Sequence, residues 1–301
     1  PPPPPLPTTT VFSPGEAGVP VYRIPALCSA GPALVAFVEG RLGGDFSIKK
    51  LMTKRSLDGG DTWSDAIVVP GTWEKGWCVG QPTCAYDSTR ALLILQYQNS
   101  TAHTEVNGRT FQVVSSDYGA TWQDPVSMDP FLGQYAGIFP GPGNGVVLSK
   151  RSKFPGRYVF AGWGVTTLHK RWSSKAPQRP VVETNYDVVY FSDDGGKTYS
   201  TSKTIFPANM TGIFDEPTVA ETRNGDVVIN MRMGNDAILC GGKHCRFAAV
   251  STDGGRSFGP AAPTSLISPG CQGSMMLHPP SNRVLFSNPH TLSARVNGVL
   301  Q

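Results

Sequence analysis

The sequence predicts an all-β protein assembled from repeated antiparallel sheets. Three observations carry this: an octapeptide turn motif that occurs four times, an apolar strand motif that recurs in step with it, and a composition rich in turn formers. Charged residues make up only 16% of the 301-residue chain, against ~25% in ordinary globular proteins. Gly (34 residues) and Pro (27) are well above their usual share. A hydrophobic content of 39%, with 10% aromatic, supplies a large core and excludes wholesale disorder.

The octapeptide follows the pattern Ser-x-Asp-x-Gly-x-Thr/Ser-aromatic. It runs from Ser56 to Trp63, Ser115 to Trp122, Ser192 to Tyr199 and Ser251 to Phe258. Each copy follows a strand-like segment, so each is expected to be a hairpin turn. Asp accepts bonds from nearby backbone N–H groups, Gly takes a positive φ, the hydroxyl closes a local side-chain-to-backbone bond, and the aromatic ring anchors the turn. A calcium loop is excluded because the spaced acidic ligands are missing. The stretch Gly195–Thr198 is no phosphate loop, since position 191 is Phe where that motif needs Gly.

The second motif is an apolar strand at Ala33–Val38, Ala91–Leu95, Arg157–Ala161, Val227–Met231 and Arg283–Phe286. The chain therefore reads as five copies of a unit of roughly sixty residues. Radial repetition of small antiparallel sheets is how a β-propeller protects its strand edges. Residues 1–10 form a Pro-rich linker and residues 11–301 the propeller. No octapeptide follows the fifth apolar strand, so the last part of the propeller is expected to be truncated.

Other classes fall away. No segment approaches the ~20 apolar residues of a membrane helix. The net charge of +4 is mild and basic residues are scattered, which argues against nucleic acid and leaves an anionic small ligand open. The five histidines show no metal-ligand spacing, and no cofactor is expected. Cys240 and Cys245 flank a short turn and read equally well as a hairpin disulfide or as buried thiols. Sequons at Asn99 and Asn209 point to a secreted or lysosomal/endomembrane location and leave the cytoplasm open.

Against this background the chain resembles the sialidases (exo-α-neuraminidases) from about Val11 to Gln301. The residues that carry the resemblance are Tyr22-Arg23-Ile24-Pro25, matching the family's Arg-Ile-Pro motif, and the four octapeptides, its Asp boxes. Further carriers are Ala36–Arg41, Asp215–Glu221 and Gly270–Ser274. The resemblance implies a six-bladed propeller with the site where the inner strands converge. It also implies an exo-α-sialidase that removes terminal α-linked sialic acids from glycans or glycolipids with retention.

Sialic acid carries a carboxylate on its anomeric carbon, and convergent guanidinium groups suit that group. The resemblance assigns this clamp to Arg23, Arg232 and Arg295, with Arg41 as a fourth arginine near the pocket. Asp45, eleven residues before a box serine, takes the acid/base place. Glu216 takes the place of the base that assists a tyrosine nucleophile, and its sixteen-residue spacing to Arg232 favours it over Glu221. A phenol avoids the repulsion that a carboxylate nucleophile would meet from the anionic substrate. Glu39 is expected to orient a clamp arginine from behind. Asp61 and Asp87 read as turn residues, and Trp73 and Trp77 as packing or rim residues. Since the family's tyrosine follows the third arginine, the nucleophile is expected beyond Gln301 and residues 1–301 alone are expected to be inactive. The alternatives are a sialidase preferring the deaminated acid KDN and a non-catalytic sialic-acid-binding propeller.

Overall fold

The computed structural model describes residues 8–45, 47–72, 77–101, 108–132, 138–165, 185–205, 214–233, 245–292 and 294–301. Most of the linker, Trp73, Cys240, Asn209 and the Trp77 side chain lie outside them. The described strands form successive antiparallel units in chain order. The first comprises β1 (Val21–Ala30), β2 (Ala33–Arg41), β3 (Lys49–Ser56) and β4 (Ile67–Val68). The second comprises β5 (Trp77–Asp87), β6 (Leu92–Thr101), β7 (Arg109–Ser115) and β8 (Val126–Ser127), and a parallel contact of β3 with β5 at Lys49 and Cys78 joins it to the first as one sheet.

In the third unit the opening strand is broken into β9 (Ile138–Pro140), β10 (Gly143–Asn144) and β11 (Val146–Val147). These are followed by β12 (Tyr158–Val165), β13 (Asn185–Ser192) and β14 (Ser200–Thr201). The fourth has β15 (Phe214–Glu221), β16 (Val227–Met233), β17 (Arg246–Ser251) and β18 (Ala262–Pro263). The fifth has β19 (Ser274–His278), β20 (Arg283–Pro289) and β21 (Gly298–Leu300). The five apolar segments fall on β2, β6, β12, β16 and β20, the second main strand of each unit.

The break in the third unit is a detail that the repeats did not foretell. β9 and β11 pair with β12, whereas β10 leaves to pair in parallel with β5 of the second unit. Glycine permits this crossing, because a Cβ on Gly141 would stand 1.8 Å from the carbonyl oxygen of Pro217.

Hydrophobic clusters lie between consecutive units. Val35 and Phe37 pack with Leu93 and Leu95, Ile94 with Phe160 and Tyr190, and Val159 and Val189 with Val219 and Ile229. A smaller cluster joins Ala220 to Met275 and Phe286. The second, third and fourth units thus pack against a unit on either side, and β2 of the first is buried almost throughout. The outer strands β4, β8 and β18 have two residues each, too short to template pairing with another chain.

The octapeptides join the third and fourth strands of the first four units, and their bonding is the same in each. In the Ser192 copy the serine hydroxyl donates to Asp194 at 2.8 Å and accepts from the Gly196 N–H at 2.8 Å. Thr198 donates to the same carboxylate through its N–H (3.0 Å) and its hydroxyl (2.6 Å). The Thr198 hydroxyl therefore bonds the aspartate side chain, while the local bond to the backbone that the sequence suggested is made by the serine. Glycines hold φ of +79° to +104° at Gly59, Gly60, Gly119, Gly195 and Gly196; Tyr118 adopts φ +60° where the other copies have Gly.

Desolvation pushes Asp117 and Asp194 up, but the hydrogen bonds from their Thr and Ser neighbours prevail and hold both at about 2. Depressed folded values stabilise the fold above the unfolded value near ~4, and that contribution disappears as pH falls toward about 2. The melting temperature should therefore fall steeply between these limits, and less steeply in an Asp117→Asn/Asp194→Asn chain; a pH series of thermal melts checks this.

A disulfide joins Cys28 on β1 to Cys84 on β5, 56 residues apart in sequence. Closing a loop of that length restricts the unfolded chain by about 4 kcal/mol in the chain-entropy account. Cys28→Ser/Cys84→Ser should lower the unfolding free energy by that order, as read from urea denaturation. Cys245 is also disulfide-bonded, and residues 240–244 lie outside the described residues.

Candidate functional site

The predicted site residues fall into two groups, one on the first unit and one on the fourth and fifth. On the first unit, β1 bulges between Arg23 and Ala26, and Ile24 sits at φ +52°. A β-branched residue before proline is doubly disfavoured there, so the backbone is strained at the Arg-Ile-Pro motif. The same device recurs twice. β5 bulges between Gly80 and Thr83 with Gln81 at φ +60°, and β15 between Asp215 and Thr218 with Glu216 at φ +42°. In each case the strained residue precedes a proline. Ile24-Pro25, Gln81-Pro82 and Glu216-Pro217 thus form a third repeat, which the sequence reading missed.

Around the first bulge the buried Glu39 is a hub. Its Oε2 accepts from Arg41 Nε at 2.7 Å and lies 3.6 Å from Lys49 Nζ. Its Oε1 accepts from the Gln81 N–H at 3.0 Å, tying the second bulge to the first unit. Glu39 thereby orients Arg41. Arg23 is exposed and stands across from Glu39 in the strand register. The other end of the Arg41 guanidinium, Nη1, donates to Asp45, which stands exposed on the glycine-containing loop after β2. That bond, with Arg23 and Lys49 as further positive neighbours, holds the Asp45 carboxyl below the usual carboxylate range.

The second group is on the fourth and fifth units. Arg232 lies on β16, the second strand of its unit and not the innermost. It donates through Nη1 to Glu216 and has Nε 3.3 Å from Asp215 Oδ1. Burial lifts Asp215 to about 7, against the pull of Arg232. Arg295 is exposed in the segment between β20 and β21, and its Nη2 is 3.5 Å from the Gly270 carbonyl. Glu221, the rival of Glu216, is buried and accepts the N–H and hydroxyl of Ser149 on the third unit, so it serves packing.

Three charged residues in this region were not anticipated. Asp215 is the neighbour of Glu216; Arg246 and Asp187 are fully buried, on β17 and β13. Their only sequence signal was a charge within an apolar strand. Asp87 is more than a turn residue: it is buried, pairs with Arg90 at 2.7 Å and accepts from Tyr158 at 2.6 Å. Among the described residues no cluster of His, Cys, Asp and Glu has a geometry for a metal ion.

Fold and site together define an all-β repeat protein with arginine–carboxylate pairs beside the strained bulges of its first strands. The chain matches the BNR repeat-like domain over residues 34–297 and belongs to that family. It is similar to a sialidase of Micromonospora viridifaciens, with 26% identity over 82% of this chain and 37% of that protein. It is also similar to human sialidase-4, with 27% identity over 90% of this chain and 57% of that one. The chain thus spans about a third to somewhat over half of the length of these relatives. Among solved structures, a Hadza microbial sialidase superposes with a TM-score of 0.75 at 20% identity, covering 94% of this chain and 57% of that chain.

Proposed function

We propose that the chain is the sialic-acid-gripping part of an exo-α-sialidase, a retaining glycoside hydrolase acting on sialylated glycans or glycolipids. In this reading the antiparallel units are blades of a six-bladed propeller, and the bulged first strands line its mouth. Arg23, Arg232 and Arg295 hold the substrate carboxylate, with Arg41 beside them. The observation that carries the reading is the Arg232–Glu216 pair at the β15 bulge, which unites a clamp arginine with the assigned base.

Glu216 takes the proton of a tyrosine as the phenolate attacks the anomeric carbon, while Asp45 gives its proton to the departing glycosidic oxygen. In the second half Asp45 takes a proton from water, which displaces the phenolate. With Arg41 bound to it Asp45 is ionised; an incoming carboxylate that draws Arg41 and Arg23 to itself lets Asp45 hold a proton. The nucleophile is assigned to none of the described tyrosines. Tyr158, Tyr190 and Tyr199 are buried and bonded to Asp87, Gln96 and Gln112, and Tyr22 donates to the Glu16 carbonyl.

The Cys28–Cys84 disulfide supports a secretory or lysosomal setting. Asn99 does not, since it is buried on β6 where no glycan can attach. A titration with N-acetylneuraminic acid, run beside an aryl α-sialoside assay, tests the reading. Saturable binding that is lost on Glu216→Gln/Arg232→Lys supports it; the absence of any binding by the wild-type chain removes it.

A further inference from the structure

We propose that Arg246 is a positioning residue of this site, fixing the groups from which Arg232 and Arg295 act on an anionic ligand. The inference rests on the carboxylate-clamp reading above. Arg246 is wholly buried on β17, directly across the register from Arg232 on β16, which in turn faces Asp215 on β15. Directly paired residues project to the same face of a sheet, so Asp215, Arg232 and Arg246 form one row across three strands. Two adjacent arginines repel, and Asp215 beside Arg232 and Glu216 at the bulge offset that repulsion; Asp187 from the third unit couples to both Asp215 and Arg246, but burial drives its carboxyl well up and toward the neutral form.

The guanidinium of Arg246 reaches in three further directions. Nε donates to Asn230 on β16, Nη1 donates to the Cys271 carbonyl at 2.7 Å, and the group lies 5.0 Å from the ring centre of Phe286 on β20. The Cys271 contact matters most. Gly270, the residue before it, offers its carbonyl to Arg295. One buried side chain thus holds the strand that carries Arg232 and the peptide beside Arg295, linking the fourth and fifth units behind the site.

Stability alone is a poor reason for such a residue. A buried guanidinium costs desolvation, burial drives its pKa down to about 10, and its Nη2 finds no partner. An apolar side chain of similar volume would serve the core better. What an apolar side chain cannot do is bind Asn230 and the Cys271 carbonyl at fixed angles.

The test compares N-acetylneuraminic acid with its methyl ester, which lacks the negative charge, in calorimetric titrations of the wild-type chain, Arg246→Lys and Asn230→Leu. Arg246→Lys keeps the charge and loses the fork; Asn230→Leu keeps Arg246 and removes its Nε acceptor. A near-UV spectrum shows that each variant is folded, and where Arg246→Lys does not fold Asn230→Leu decides. Positional errors of about an ångström cost up to roughly a hundredfold, so the acid-to-ester affinity ratio should fall about tenfold or more, with ester affinity unchanged. A loosened core would lower both affinities together, which would overturn the positioning role. An unchanged ratio in both variants overturns it as well and leaves the clamp standing. A wild-type chain that does not prefer the acid overturns the clamp reading and this role with it.

Discussion

Replacing Arg232 with lysine should weaken N-acetylneuraminic acid binding by about a hundredfold, on the scale of the two charge-assisted bonds lost. Arg232 already meets Glu216 through Nη1 and approaches Asp215 through Nε, so its planar fork serves two carboxylates before a ligand arrives. A lysine ammonium is a point charge that can face one of these groups but not span them. Arg23 and Arg295 are exposed, and the same change at either should cost less. Because Arg232 is only half-buried, Arg232→Lys should keep its thermal melt. Full binding in a folded Arg232→Lys chain would remove this residue from the clamp.

The second large effect is expected at Asp45. In an active enzyme bearing these residues, Asp45→Ala should reduce turnover of a natural sialoside by roughly a hundredfold to ten-thousandfold, the usual range for a lost general acid. A substrate with a phenoxide leaving group needs little protonation, so its turnover should fall far less. Asp45 is exposed and bonded through Arg41, so its removal should not unfold the chain. Glu216→Ala should damage both substrates alike. Equal losses for the two substrates in Asp45→Ala would take the acid role from this residue.

What the sequence made legible was what it repeats. Ser56, Ser115, Ser192 and Ser251 announce the turns, and the apolar segments announce the second strands, because both signals are local and recur. Arg23, Arg41, Asp45, Glu216 and Arg232 lay in recognisable motifs, and the structure joins Arg41 to Asp45 and Arg232 to Glu216. The strained bulges at Ile24, Gln81 and Glu216 escaped notice, since a positive φ before proline runs against local preference and is imposed by the surrounding sheet. Arg246 and Asp187 were hidden for a related reason. Their burial follows from packing between units far apart in sequence, and a single charge in a short strand otherwise reads as a solvated face. The Cys28–Cys84 bridge and the transfer of β10 onto the second unit are likewise long-range events with no local mark.

The central claim is that these arginines grip the carboxylate of a sialic acid. A crystal structure of the chain with N-acetylneuraminic acid bound would test it most directly. The account predicts carboxylate oxygens within about 3 Å of guanidinium nitrogens of Arg232 and at least one of Arg23 and Arg295, with Asp45 on the anomeric side. A ligand bound elsewhere, or with its carboxylate turned away from Arg232, would contradict it.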